Sequence, residues 1–303
     1  MTSQIALPGQ IASPRAALYI VAGMATLGLN DNFIPHIAPD GSLWQFHLLR
    51  GTLALGALGL IALLCWGTLR PKRPWAVFGR SFFQAASMLI YFGCLAILPI
   101  GIVVAGLFTS PIFVLLIAVI FQGKRVGWLR SLAIVTGFAG ALLVIRPDPA
   151  ALDWVVFLPI LAGLLYAIGA IATRAWCEGE TTLTLSAGFF AMLAVCGAVG
   201  CLLLPAAATG AEGFAQRGWM PLTADLMFWI SVQTALALVG IFCLFRGYQI
   251  GEASQVAVYE YSLLIFASGW AWYLWGDLVS PVAMAGMALI ALAGIIIVSR
   301  RRV

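Results

Sequence analysis

The sequence predicts an all-α integral membrane fold of ten transmembrane helices, arranged as two inverted five-helix repeats with both termini in the cytoplasm. Three observations lead there: a composition too apolar for a soluble core, ten apolar runs of spanning length, and a second half that echoes the first.

Of 303 residues, 63% are hydrophobic and only 9% are charged, and the mean hydropathy is +1.04. No soluble domain of this length hides that much apolar surface, so lipid is the expected solvent. The net charge of +5 comes from sixteen Lys and Arg scattered between apolar runs. They form no basic stripe, which argues against a nucleic-acid partner. The six cysteines lie in or at the ends of apolar runs without CxxC or Cys/His ligand spacing. They read as small packing residues, and neither metal nor cofactor is expected. The first fifteen residues hold Pro8 and Pro14 but no short apolar core with a cleavage site, so no removable signal is expected.

A helix crosses the bilayer with ~20 mostly apolar residues. A cytoplasmic tail, 1–15, precedes the first repeat, 16–146, whose runs fall at 16–37, 44–66, 78–97, 101–122 and 128–146. The second repeat, 154–298, holds runs at 154–175, 182–204, 224–247, 253–274 and 279–298, before a basic tail, 299–303. Pro71 to Pro74 and Pro147 to Pro149 punctuate them. With ten spans, thirteen of the sixteen basic residues become cytoplasmic: Arg15, Arg70, Lys72, Arg73, Arg80, Lys124, Arg125, Arg130, Arg174, Arg246 and Arg300 to Arg302. That bias is the one membrane proteins show.

Leu98 to Ala105 aligns with Tyr248 to Gln255 at a constant offset, and each half ends in an Ala/Gly-rich run, Gly137 to Val144 and Ala291 to Val298. An odd number of spans per repeat forces opposite topologies, the architecture of many alternating-access carriers.

Charges inside the membrane cost at least ~2.5–3.5 kcal/mol each on insertion scales, so Asp31, Arg50 and Glu260 need a reason. Asp31 and Arg50 lie at similar depth, ~9 Å from the outer helix ends, close enough for a structural ion pair or a gate. Asn30 and His47 are placed to join them. Glu260 lies ~12 Å from the cytoplasmic end of its span, near the midplane, where carrier sites usually sit. A substrate or proton role is expected for it, with protons a candidate coupling ion. Tyr91, Phe108, Tyr166, Tyr259 and Tyr261 offer aromatic walls with polar tips. Ser110 joins the substrate-binding set. Pro111 removes a backbone hydrogen bond and is either a hinge or a kink re-satisfied by Thr109 or Ser110. Gln84 and Gln233 are expected to bond between helices. Trp270, Trp272 and Trp275 are expected in an interfacial belt.

Asn30-Asp31-Asn32, Phe46 to Arg50, Phe108-Thr109-Ser110-Pro111-Ile112-Phe113, Tyr166 with Arg174, and Tyr259-Glu260-Tyr261 follow one another in an order and spacing that resembles the drug/metabolite transporter superfamily, EamA type. The chain departs from that pattern at Lys124, where many relatives carry Glu, and at Tyr261, where many carry Pro. The resemblance implies a secondary transporter of a small organic metabolite in the inner membrane. Glu260 favours an amine-bearing compound such as an amino acid, with export the expected direction. Import of S-adenosylmethionine, riboflavin or a similar nutrient is the alternative, although the S-adenosylmethionine pattern has a basic residue where Glu260 stands. Among other classes, an intramembrane enzyme lacks HExxH and an acidic cluster beside His36 or His47. A passive channel lacks a ring of charge or carbonyls. No GxxxxGK[ST] is present to bind ATP.

Overall fold

The computed structural model describes residues 14–64, 67–94, 98, 100–123, 127–146, 154–204 and 213–299, and no strand occurs among them. Lys124, Arg125, Arg300 to Arg302, Cys65 and most of both predicted tails lie outside the described residues. Helix occupies every apolar run. The first half holds α1 (Pro14–Asp31), a short α2 (Ile34–Ile37), α3 (Leu43–Leu63), α4 (Pro74–Cys94), α5 (Ile100–Leu107), α6 (Ser110–Ile120) and α7 (Trp128–Ile145). A 3-10 turn at Trp154–Val156 opens the second half. It continues with α8 (Phe157–Ala175), α9 (Thr182–Leu203), a short α10 (Gly213–Gln216), α11 (Ala224–Ile250), α12 (Ala253–Val256), a 3-10 stretch (Ala257–Tyr261), α13 (Ser262–Trp275) and α14 (Pro281–Ser299).

Among the described residues, six stretches are long and apolar enough to cross a membrane, Leu43–Leu63, Ile102–Ile120, Trp128–Ile145, Trp154–Ala175, Thr182–Leu203 and Ala224–Ile250, and the chain is a multi-pass membrane protein. Several helices start where a hydroxyl can satisfy an orphan amide. Ser42 caps α3 by accepting from the Gln45 N–H, Thr181 caps α9 by accepting from Thr184, and Thr223 caps α11 by accepting from Leu226.

The most extensive helix packing always joins one half to the other: α7 with α14, α3 with α9, α1 with α11, and α4 with α8. Small residues permit these approaches, as expected where no hydrophobic drive exists between helices in lipid. A Cβ on Gly140 would lie 2.6 Å from the Gly286 carbonyl, and one on Gly286 would lie 2.5 Å from the Gly140 carbonyl. The α7–α14 seam therefore admits no side chain at either position.

Two helical runs are broken. In the first half, Phe108 and Thr109 separate α5 from α6; in the second, α-helix gives way to 3-10 winding over Ala257–Tyr261. The offset that aligns Leu98 with Tyr248 sets Ser110 against Glu260, so the interruptions fall at corresponding positions.

Arg80, expected on the cytoplasmic side, does not face solvent there: its side chain is wholly buried between helices. Its place near the start of α4 in sequence does not reveal that α8, α9 and α11 close around it. Trp270 also turns inward, donating its indole N–H to the Ala25 carbonyl at 3.1 Å, whereas Trp272 and Trp275 are exposed.

Candidate functional site

Each break has its own local cause. Pro111 has no N–H to donate to the Leu107 carbonyl and stands in the first turn of α6, where that loss costs least. The Thr109 hydroxyl donates to the Gly106 carbonyl at 2.6 Å, one residue before the carbonyl that Pro111 leaves without its helical donor. The second break contains no proline. Its 3-10 winding brings Tyr259, Glu260 and Tyr261 round more tightly than an α-helix would, an arrangement common at functional irregularities.

Between the breaks lies a cavity of about 110 Å³. Its walls are mostly apolar: Met24 and Leu27 from α1, Met88 and Phe92 from α4, Phe189 from α9, Leu244 from α11. Polar groups enter at a few points. Asn30 and Asp31 come from the end of α1, Arg50 from α3, Tyr91 from α4, Ser110 from the start of α6, Tyr166 from α8 and Glu260 from the second break. Phe108 adds a ring beside Ser110. Eight of the twelve site residues expected from sequence thus line one cavity. An apolar hollow with a few convergent polar groups is what a small-molecule site requires.

Glu260 is 5% exposed and sits deep in this cavity. Its Oε1 accepts the Tyr166 hydroxyl at 3.1 Å and the Tyr248 hydroxyl at 2.5 Å. Tyr248 is itself buried on α11, and the sequence reading did not single it out. The signal available was a tyrosine in the segment that begins the repeat alignment, two residues before the end of its helix.

Asp31 is exposed and Arg50 buried. Their charges attract across the cavity, but no ion pair within 4.0 Å joins them in this conformation. Arg50 instead lies over two rings, 5.3 Å from Phe46 and 5.7 Å from Phe190, and its Nε has no hydrogen-bond partner. The buried Asn30 Oδ1 likewise has none. These are donor and acceptor positions that a polar ligand would satisfy.

Four expected residues stand outside the cavity. His47 is fully buried, packed against Phe46 and Phe92 at 5.0 and 5.3 Å, with neither ring nitrogen hydrogen-bonded. Tyr261 turns away from Glu260 toward α7, where the absent side chain of Gly137 makes room for its ring, and it packs 5.7 Å from Phe108. Tyr259 points toward Gly294 on α14. The tight winding sends the neighbours of Glu260 to other faces, so adjacency in sequence misplaced them. Pro111 is buried behind Ser110 without lining the space. Gln233, expected to bond between helices, has neither amide atom hydrogen-bonded, and Gln84 packs against Gly169.

Residues 14–146 match the EamA-like transporter family. The chain is 29% identical to a riboflavin transporter of Rhizobium johnstonii over 51% of its length and 50% of that protein's, so it spans about half the length of that relative. It is 27% identical to the pseudopaline exporter CntI of Pseudomonas aeruginosa over 71% of each chain. It is 22% identical to an S-adenosylmethionine uptake transporter of Rickettsia bellii over 76% of its own length and 75% of that chain. A solved structure described only as "Crystal structure of protein" superposes over 95% of this chain and 98% of the other, with a TM-score of 0.75 and 16% identity. At that identity the likeness speaks for the fold.

Proposed function

We propose, from the EamA-like transporter domain at residues 14–146, that the chain is a secondary carrier moving a small organic metabolite through the inner membrane by alternating access. The observation that carries this reading is the cavity between two helix breaks at corresponding positions of the two halves, lined by Asp31, Arg50 and Glu260. Interrupted helices that meet at a central site are how membrane carriers expose backbone and charge to a ligand without exposing them to lipid. The pairing of α1 with α11 and of α4 with α8 is what an exchange of the two halves would produce, which supports the inverted repeat and, with it, ten spans and both termini in the cytoplasm.

Two carboxyl groups and one guanidinium in a mostly apolar space suit an amine-bearing ligand that also carries an acidic group, an amino acid or a close relative. Export fits this reading and the exporter among the relatives. Glu260, buried and held by two tyrosines, is the group best placed to exchange a proton for the ligand's amine. A second reading rests on the rings of Tyr91, Phe92, Phe108 and Phe189, which suit a planar ring such as the flavin or adenine of a nutrient taken up.

Counterflow in proteoliposomes tests these readings together. Separate batches are loaded with amino acids, S-adenosylmethionine, riboflavin or cationic drugs, and labelled compound is added outside. Saturable exchange of amino acids alone supports the first reading, and exchange of riboflavin or S-adenosylmethionine alone supports the second. Flux that neither saturates nor shows counterflow refutes the carrier.

A further inference from the structure

Arg80 is among the largest fully buried side chains, and it does not line the cavity. It belongs to the first half, yet its three contacts all reach the second. Its Nε donates to Thr173 Oγ1 on α8 at 2.9 Å, and its Nη1 donates to the Leu185 carbonyl on α9 at 3.1 Å. Its guanidinium lies 3.5 Å from the centre of the Phe245 ring on α11. Its charge is felt at Tyr166, which holds Glu260, and at Cys177, in the connection between α8 and α9. Nη2 has no hydrogen-bond partner.

The face on this side of the cavity is closed by further contacts between the halves. The Arg73 N–H donates to Glu180 Oε1 at 2.6 Å, the Thr181 and Thr184 hydroxyls donate to the Thr68 carbonyl, and Arg130 pairs with Glu252 at 3.1 Å. At the opposite end, Asp31 is exposed. The cavity is therefore open toward Asp31 and shut toward Arg73.

We propose that Arg80 is the latch of the shut face: it clamps α8, α9 and α11 to α4 beneath the cavity, and it must leave Phe245 and the Leu185 carbonyl for that face to open. This deepens the carrier reading, on which it rests. The chemistry suits a latch better than a fixed strut. A buried guanidinium with one unpaired nitrogen carries a desolvation cost that its ring contact and two hydrogen bonds offset only in part. Opening the face returns the guanidinium to water, so the shut and open states stay close in free energy, as a population-shifting gate requires.

The chain carries its own reporter. Cys177 is 1% exposed beside the latch, and Cys94, 2% exposed, lies at the other end of α4. Purified full-length protein in nanodiscs is treated with a maleimide, and modification of each cysteine is followed by peptide mass spectrometry. In Arg80→Gln, Cys177 should react about tenfold faster, as the open state rises from a population of a few per cent, while Cys94 stays unchanged or slows. Electrostatics alone predicts the reverse, because Arg80 lowers the pKa of the Cys177 thiol and its loss leaves less thiolate. If Arg80→Gln does not fold, Phe245→Leu and Thr173→Val each remove one contact and should show the same pattern at smaller amplitude. Unchanged or slower Cys177 labelling in folded variants overturns the latch, and so does equal acceleration at Cys94, which would mean general loosening. Because the readout needs no substrate, loss of counterflow in the parent would sink the carrier reading without deciding this one.

Discussion

The Tyr248 hydroxyl donates to Glu260 Oε1, the same oxygen that accepts the Tyr166 hydroxyl. One carboxyl oxygen is thus committed to two tyrosines on different helices, α11 and α8, while the group still faces the cavity. Glu260→Gln keeps the shape and removes the charge. It should abolish exchange of an amine-bearing substrate while leaving membrane insertion and thermal unfolding near the parent's. Parental transport at every pH tested would remove Glu260 from the mechanism.

Tyr248→Phe and Tyr166→Phe separate positioning from contact. Each loses one buried hydrogen bond to a carboxyl group, worth ~1–3 kcal/mol of stability. Tyr166 lines the cavity and Tyr248 does not. The Tyr166 variant should raise KM, whereas the Tyr248 variant should chiefly lower the melting temperature and shift the pH profile of transport.

Arg50, held over Phe46 and Phe190 with Nε free, is the candidate partner for a substrate carboxylate. Lysine keeps the charge but not the planar fork. Arg50→Lys should weaken apparent affinity about tenfold, and substrates lacking the acidic group should be insensitive to the change. Equal losses for both substrate types would assign Arg50 to structure alone.

Pro111→Ala restores the N–H that the Leu107 carbonyl lacks, favouring a continuous helix through Phe108 and Thr109. Thermal stability should stay level, the regained hydrogen bond offsetting the freedom that the unfolded chain gains, while the transport rate falls several-fold. A variant that transports at the parental rate would show that the break serves packing only.

Cys177, in the connection between α8 and α9, has its thiol pushed up to about 11, chiefly by burial, with Glu180 adding to the rise and Arg80 and Arg73 opposing it. A raised thiol pKa means the folded protein holds this proton after the unfolded chain, at 9.0, has released it. This contribution to stability is complete below pH 9.0 and declines as pH climbs toward 11. Iodoacetamide should therefore modify Cys177 far more slowly at pH 8 than an exposed cysteine, which mass spectrometry can follow.

What was legible in the sequence was whatever lipid penalises. Asp31, Arg50 and Glu260 stood out because each is costly in an apolar run, and all three line the cavity. Pro111 marked the first break because proline cannot continue a helix. The second break has no proline, and the sequence reading did not expect it. Reading along a helix gives depth but not direction. Depth alone could not show that Tyr261 packs into the gap at Gly137 or that Tyr248 reaches Glu260 from the preceding helix. Arg80 was hidden by the same limit, since a basic residue near a span's edge looks the same whether it meets water or three helices.

The closest helix pairs all take one member from each half. Neither half, then, completes its packing alone: the apolar face of α7 is finished by α14, and that of α3 by α9. Chains split between residues 146 and 154 and made as two fragments should assemble only when co-expressed, each serving as the other's template. Under that dependence, a substitution such as Gly286→Leu in one fragment is read out as failure of its companion to mature.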